Sequence, residues 1–400
     1  RTHLIHHPYQ PPAEFEAPQF AVHKASTVFF PNVAAMRTRQ WIDKSAYTYG
    51  LHGTPTTFVL EERIATLEGG LQCLLVPSGL AAIANVALGL LKTGDEVLIP
   101  DNAYGPNKTL TEGDLAAYGI THQYYDPMDV DDLAARINER TRLVWLEAAG
   151  SVTLEFPDLM AQVRLCRARG VVSALDNTWG AGLAFNPFDL DGLGLGVDVS
   201  AHALTKYPSG GGDVLMGSVT TRDQALHLKL KLCHMRLGLG VSGNDTEAVL
   251  RSLPSMPLRY HAQDQAARAL AHWCSQQPAF AQVLHPALAG SPGHDHWQQV
   301  CGAADACGNG AAAGLVSVIV SERYSPAQVD AFCDALRLFK IGYSWGGPIS
   351  LVVPYELATM RQRWPAYLQR GTLVRFSMGL ESVGDLQADI AQAMALALPA

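Results

Sequence analysis

The sequence predicts an α/β protein: a large domain on a mostly parallel sheet, then a small C-terminal α/β domain. Two observations carry this. Across residues 71–175, short apolar runs rich in β-branched residues alternate with helical stretches of about three turns, the pattern of right-handed β-α-β crossovers. In addition, 400 residues is long for one core, which favours a second, smaller domain.

Taken in order, residues 1–46 have no clear period, and Pro8, Pro11, Pro12 and Pro18 exclude a continuous helix there. Such a segment is expected to gain its order from something it binds. Residues 47–57, rich in Gly, Thr and Pro, read as a loop. Helical spacing over 58–67 stops at Gly69-Gly70, a C-cap signal. Strands are then predicted at 71–76, 96–100, 120–125, 143–147 and 171–175. Between them lie helices over 79–91, 106–118, 130–138 and 157–169. Residues 197–199 and 214–219 complete the sheet, with one antiparallel member expected. A long helical stretch over 245–276 leaves it, and 291–314 reads as loop. The small domain is expected to hold strands at 315–320, 350–353 and 373–377, with helices over 326–338 and 385–398. The division expected is an N-terminal segment of residues 1–56, a large domain over 57–250 and a small domain over 251–400.

A hydrophobic content of 48% is ample for a globular interior. The net charge of −8 argues against nucleic acid and anionic membranes as partners. No apolar run reaches spanning length; the richest, residues 79–91, is broken by Asn85. Residues 1–12 are basic and His-rich without the apolar core of a secretory signal. The seven cysteines form no CxxC pair and read as reduced thiols, so a cytoplasmic protein is expected. His6-His7 and His294-Asp295-His296 have no third ligand at recognisable spacing, so no metal is expected.

The chemistry concentrates at strand ends. Lys206 stands in a polar turn between the strand at 197–199 and Gly210-Gly211-Gly212. A lysine there is either a solvated loop residue or one that loses its proton and condenses with a carbonyl cofactor. Upstream, the strand at 171–175 ends in Asp176, a turn or capping residue or else a carboxylate at the edge where α/β ligands bind. Pyridoxal 5′-phosphate (PLP) needs this pair: a lysine for its aldehyde and a carboxylate for its pyridinium nitrogen. Ser78-Gly79-Leu80 opens a helix after a strand, as an ordinary N-cap or as a phosphate cup. Arg375, between Val374 and Phe376 on a β-run, needs either a structural ion pair or a substrate carboxylate.

These residues and others resemble the Cys/Met-metabolism family of fold-type-I PLP enzymes. The resemblance is carried by Tyr49 with Gly53-Thr54-Pro55-Thr56, Leu67-Glu68-Gly69-Gly70, Pro77-Ser78-Gly79-Leu80-Ala81-Ala82 and Asn102-Ala103-Tyr104. It continues through Asp176-Asn177-Thr178-Trp179, Thr205-Lys206-Tyr207, Tyr343-Ser344-Trp345-Gly346-Gly347 and Val374-Arg375-Phe376-Ser377-Met378-Gly379-Leu380-Glu381. It implies a seven-stranded large-domain sheet and a homo-oligomer with shared active sites, a homotetramer. It implies that Lys206, Tyr104 and Tyr49 are catalytic. Lys206, Asp176, Gly79, Leu80, Tyr104, Thr205, Ser151 and Tyr49 would bind PLP, with Tyr49 reaching the neighbouring subunit's cofactor. Arg375, Tyr343, Ser344, Trp345 and His52 would face a small sulfur amino acid. An aromatic at Tyr343, where γ-lyases and γ-synthases carry an acidic residue, resembles the β-lyases. The implied reaction is β-elimination of L-cystathionine to homocysteine, pyruvate and ammonia, extending to cysteine and other S-conjugates. The alternatives are γ-elimination, γ-replacement or cysteine desulfhydration on the same scaffold, or a PLP-binding regulatory protein. Two departures stand out. Leu51 occupies the third position of the family's Tyr-x-Arg, whose Arg binds phosphate, and Ser151 follows Glu147-Ala148-Ala149-Gly150 instead of Glu-Ser-Pro.

Overall fold

The structure, a computed structural model, describes Leu4, residues 17–302 and residues 310–399. Its larger sheet contains β1 (Gln72–Val76), β2 (Glu96–Pro100), β3 (Thr121–Tyr125), β4 (Thr141–Glu147), β5 (Val172–Asp176), β6 (Val199–His202) and β7 (Gly217–Thr221). Their order is β1-β7-β6-β5-β4-β2-β3. The run from β3 to β6 is parallel, and β7 is antiparallel to both β6 and β1. This is the expected sheet, with its antiparallel member supplied by β7.

The sheet is buried on both faces because its crossovers are helices. Alternate residues serve opposite sides. Leu75, Leu98, Val144, Leu146 and Leu175 join one core cluster, with Leu60 and Ile64 of the helix Pro55–Glu68 and Val163 of the helix Leu159–Arg169. Leu74, Val97, Ile99, Leu143, Trp145 and Ala174 join the other, with Ile83 and Val86 of the helix Gly79–Leu90 and Leu230 of the helix Gln224–Leu237.

The second sheet contains β8 (Phe280–Leu284), β9 (Leu315–Ser321), β10 (Lys340–Ile341), β11 (Leu351–Tyr355) and β12 (Gly371–Ser377), in the order β10-β11-β12-β9-β8. It is antiparallel except at β10–β11. One face packs Val316, Val318, Val352, Val374 and Phe376 against the helices Pro326–Ala335 and Val383–Ala397 and against the long helix Met256–Cys274. The period of two therefore sends Arg375, between Val374 and Phe376, to the opposite face.

The structure departs from the sequence reading in places. The helix Gln224–Leu237 was not expected, because Leu226, Leu228, Leu230 and Leu232 alternate with polar residues as in a strand. The Asp223 side chain caps its start, Gly238 in the left-handed region ends it, and its buried face carries His227, Lys231 and His234, which masks the helical period. The stretch over 245–276 is two helices, Gly243–Ser252 and Met256–Cys274, divided by a 3₁₀ turn at Leu253–Ser255 that contains Pro254. The helix at Gly105–Leu110 passes into a π-helical turn over Thr111–Leu115. The expected loop at 291–314 contains the helix His294–Cys301, anchored by buried Trp297 and Cys301; His294-Asp295-His296 begins that helix. Residues 303–309 and His6-His7 lie outside the described residues. Among the described residues, Cys73, Cys166, Cys233, Cys274, Cys301 and Cys333 are free and buried, and no helix is long and apolar enough to cross a membrane.

Candidate active site

The site forms at the carboxyl edge of the larger sheet, where β2, β4, β5 and β6 end. Asp176 closes β5, opposite Glu147 on β4 and Ala201 on β6, which centres it on that edge. Its Oδ1 accepts the Thr178 amide at 3.0 Å. Burial raises the Asp176 pKa, opposed by the Thr178 hydrogen bonds, His202 and Lys206. Glu147 is buried beside it, and burial and the Asp176 charge push its carboxyl up to about 8.

Lys206 lies in the turn after β6. The turn is closed by Lys206 N–H to Ala203 O at 3.1 Å and by Gly210 N–H to Lys206 O at 2.9 Å. Tyr207, fully buried, anchors the turn: its ring lies 4.7 Å from that of Tyr260, and its hydroxyl accepts the Gly314 amide at 2.8 Å. Arg259 Nη1 donates to Tyr207 O at 2.9 Å. With the backbone held this way, Lys206 Nζ donates to Ser344 Oγ at 2.9 Å and lies 5.0 Å from the Trp345 ring centroid. Burial and the nearby Arg375 charge lower its pKa to about 8, against the pull of Asp176.

Arg375 is 6% exposed, with Cζ 5.4 Å from the rings of both Trp345 and Tyr355. Its Nε has no hydrogen-bond partner, and no carboxylate among the described residues pairs with it. Lys206, Ser344, Trp345 and Arg375 are thus brought together from two sheets far apart in sequence. Ser344 holds φ at 148°, a conformation that costs a non-glycine residue about 1–3 kcal/mol and persists where the surroundings demand it. Gly346 explains the Gly-Gly that follows: at φ +77° it packs where a Cβ would sit 2.9 Å from Tyr207 N. Tyr343, which precedes Ser344 in the same loop, is 83% exposed. Of the three residues expected to form the substrate wall, Ser344 and Trp345 contact Lys206.

The anion cup needs one correction. Ser78 caps the helix Gly79–Leu90 by accepting the Ala81 amide, and the first intrahelical bond is Ala82 N–H to Ser78 O. The Gly79 and Leu80 amides precede that bond and point out of the helix end. A Cβ on Gly79 would lie 2.6 Å from Ala203 Cβ, so glycine is required for packing against the lysine turn rather than for room at an anion. Thr205 was expected to bind phosphate through its hydroxyl. That hydroxyl donates to Met216 O at 3.2 Å and accepts the Met216 amide at 3.0 Å, tying the turn to the chain entering β7.

Tyr104 caps the helix Gly105–Leu110, and its amide donates to Glu147 Oε2 at 2.8 Å. Burial, Asp176 and Glu147 raise the pKa of its phenol, which therefore stays protonated. Ser151 donates its amide to Asn102 O at 3.0 Å, and its side chain supports the Glu147 carboxylate. Both side-chain amide atoms of Asn102 and the indole nitrogen of Trp345 are buried without partners. Glu147 and Tyr355 were missed as site residues. The first served only as a landmark in a departing motif, and the second has no local signal.

Tyr49 and His52 are not brought to Lys206 within the chain. Tyr49 pairs with Thr27 in an isolated bridge and is 45% exposed. His52 accepts from or donates to Thr48 Oγ1 at 2.7 Å and lines a separate cleft with Lys44, Glu61, His227, Lys231 and His234. Burial, Lys231, Arg39 and His234 hold its pKa below the ordinary histidine value.

A lysine of lowered pKa, a buried carboxylate and free helix-end amides at one sheet edge define an α/β enzyme site for PLP. The donor set fits that group: Lys206 for the aldehyde, Asp176 for the ring nitrogen, and the Gly79 and Leu80 amides for the phosphate. The chain belongs to the Cys/Met metabolism PLP-dependent enzyme family, whose profile matches residues 1–395. It is 36% identical over 400 residues to the cystathionine β-lyase of Bordetella avium, covering 98% of this chain and 96% of that one. It is 32% identical over 376 residues to the cystathionine β-lyase of Escherichia coli, covering 92% and 91%. Among solved structures it resembles cystathionine γ-lyase from Lactobacillus plantarum complexed with L-serine, with a TM-score of 0.85, 25% identity and coverage of 99% and 98%.

Proposed function

We propose that the chain is a PLP-dependent carbon–sulfur β-lyase that cleaves L-cystathionine to homocysteine, pyruvate and ammonia and also accepts cysteine and other S-conjugates. The observation that carries a carboxylate-bearing substrate is Arg375, a buried guanidinium without a carboxylate partner among the described residues, over the same indole as Lys206. The relatives named cystathionine β-lyase support the particular thioether.

When bound, PLP supplies an aldehyde that takes the substrate amino group and a ring that accepts electron density from Cα. Arg375 grips the α-carboxylate, and the Trp345 indole shields that contact from water. Lys206, with a pKa of about 8, is partly neutral near physiological pH and takes the Cα proton at Nζ. Ser344 Oγ fixes the starting position of that amine. Asp176 holds the proton on the pyridine nitrogen. The departing sulfur takes one proton, returned from Lys206 Nζ or given by a tyrosine, Tyr104, whose phenol is kept protonated, or Tyr49 of the neighbouring subunit. Tyr49 and residues 1–56 serve the neighbouring subunit in a homotetramer with shared sites, which accounts for the distance of Tyr49 and His52 from their own Lys206.

A second reading, γ-elimination on the same scaffold, is favoured by the likeness to a γ-lyase. Product analysis with L-cystathionine and PLP-loaded protein decides between them. Pyruvate with homocysteine is expected; 2-oxobutyrate with cysteine would overturn the β-lyase reading. Lys206→Ala should abolish turnover and the absorbance of lysine-bound cofactor, and substantial residual turnover would remove Lys206 from its role.

A further inference from the structure

Arg375 carries a buried charge that no acid of the chain meets. It is 6% exposed, its Nε has no hydrogen-bond partner, and among the described residues no carboxylate pairs with it. A guanidinium taken out of water in this way is costly unless something else faces its charge. What surrounds it is aromatic. Its Cζ lies 5.4 Å from the centroids of both the Trp345 and the Tyr355 rings, within the range over which the negative face of a ring attracts a cation.

The two rings are not equivalent. Trp345 is shared, because Lys206 Nζ lies 5.0 Å from the same indole. Among the described residues, Arg375 is the only cation over Tyr355. The strands set that ring in place. In the antiparallel register of β11 and β12, Val353 faces Arg375 and Tyr355 faces Leu373. Tyr355 follows Val353 by two residues, so it shares the sheet face of Arg375. The two side chains are diagonal neighbours, a separation that an aromatic ring and a long arginine can span. Tyr355 also packs on the apolar cluster of Val152, Ile319, Leu357 and Leu373, which fixes its position. A carboxylate in the place of this ring would offset the charge but occupy the N–H donors. A ring face offsets the charge and leaves the donors for a ligand.

We propose that Tyr355 is a positioning residue for the substrate's α-carboxylate: its ring face holds the Arg375 guanidinium where a protein carboxylate would otherwise stand, and so reserves the donors of that guanidinium for the substrate. Tyr355 acts through Arg375, and no bond is made or broken. The proposal rests on Arg375 being the partner of the substrate carboxylate, and the experiment separates the two claims.

PLP-loaded protein is titrated with glycine and with methylamine, each followed by cofactor absorbance. Glycine carries the carboxylate and has no group to eliminate; methylamine is the matching amine without a carboxylate. The ratio of the two dissociation constants therefore reads the carboxylate contact. Arg375→Gln should remove most of glycine's advantage; an undiminished advantage would overturn the role of Arg375 and this proposal with it. With the advantage traced to Arg375, Tyr355→Leu should reduce it about tenfold, the range of one desolvated cation–π contact. Tyr355→Phe, which keeps a ring, should recover most of it. An undiminished advantage in Tyr355→Leu would overturn the proposal. A loss in Tyr355→Phe as large as in Tyr355→Leu would assign the effect to the hydroxyl and overturn it too. Equal weakening of glycine and methylamine would make Tyr355 a packing residue, with the same consequence. If Tyr355→Leu does not fold, monofluorinated and trifluorinated phenylalanine are placed at position 355, since fluorine draws charge from the ring face while nearly keeping its shape. A stepwise decline of glycine's advantage supports the proposal, and a flat series overturns it.

Discussion

Lys206 and Arg375 both lie over the Trp345 ring, and their mutual repulsion tunes the lysine. The ordinary lysine value of 10.5 falls to about 8 here through burial and then the Arg375 charge. Only the neutral amine adds to an aldehyde. The rate at which PLP loads onto cofactor-free protein should therefore rise with pH and level off above about 8, as read by stopped-flow absorbance. Arg375→Gln removes the repulsion, so the lysine pKa rises and the plateau moves to higher pH; an unmoved or lowered plateau would contradict the geometry. The same substitution removes the charged partner of the substrate carboxylate. A buried charge pair is worth about 2–5 kcal/mol, so KM should rise about 30-fold or more in steady-state assays. Lys206, Asp176 and Arg375 were legible because each stands at a strand end or interrupts an apolar strand. Tyr355 was not, because its relation to Arg375 exists only through the pairing of β11 with β12.

At the scale of the element, the helix Gly79–Leu90 and the lysine turn form a single packed unit. Gly79 touches Ala203, and a Cβ on Gly217 would approach Ser78 O to 2.3 Å, so the strand after the turn presses on the same helix end. Gly79→Ala should push the turn from the helix N-terminus and weaken PLP affinity while leaving the helix itself slightly favoured, since alanine is the better helix former by about 1 kcal/mol. Fluorescence titration with PLP beside a thermal melt would separate the two effects; unchanged affinity would mean that the turn accommodates the methyl group. The glycine was visible in the sequence, but its reason was not. A strand-to-helix glycine reads equally as room for an anion or as a close backbone contact, and only the approach of residue 203 distinguishes them.

Across the whole molecule, the two sheets are joined beside the site by buried charges. Arg361, which follows β11 in the small-sheet region, pairs with Glu155 at 2.5 Å and also reaches Thr153, while Tyr367 donates to the same Glu155 oxygen at 2.9 Å. Nearby, Lys108 Nζ donates to Asp101 Oδ1 at 3.1 Å and to Met360 O at 2.7 Å, and the Gln362 amide donates to the Asp101 carboxylate at 3.0 Å. The Arg361–Glu155 pair is almost wholly removed from water, with side-chain exposures of 4% and 0%. Removing one partner strands the other charge. Arg361→Ala should cost about 3–5 kcal/mol in urea unfolding, and Glu155→Gln combined with it should restore part of that loss. An effect below about 1 kcal/mol would show that water reaches the carboxylate. The Arg361 guanidinium and its neighbours hold the Glu155 pKa below the ordinary carboxylate value, so this stabilisation is present above about pH 4.5 and fades as pH falls through the lowered value.

By itself the sequence determined the alternation of strands and helices over residues 71–175, and the lysine, aspartate and arginine around which the chemistry turns. These are local properties: apolar period, turn chemistry and a charge set in an apolar run all act over a few residues. Tertiary structure alone decided what those groups are worth. It put Glu147 beside Asp176 and Tyr355 beside Arg375, tied the Thr205 hydroxyl to Met216, and set Tyr49 and His52 apart from their own Lys206. Each of these depends on desolvation and on charges brought together across wide intervals of sequence, and neither quantity exists until the chain has packed.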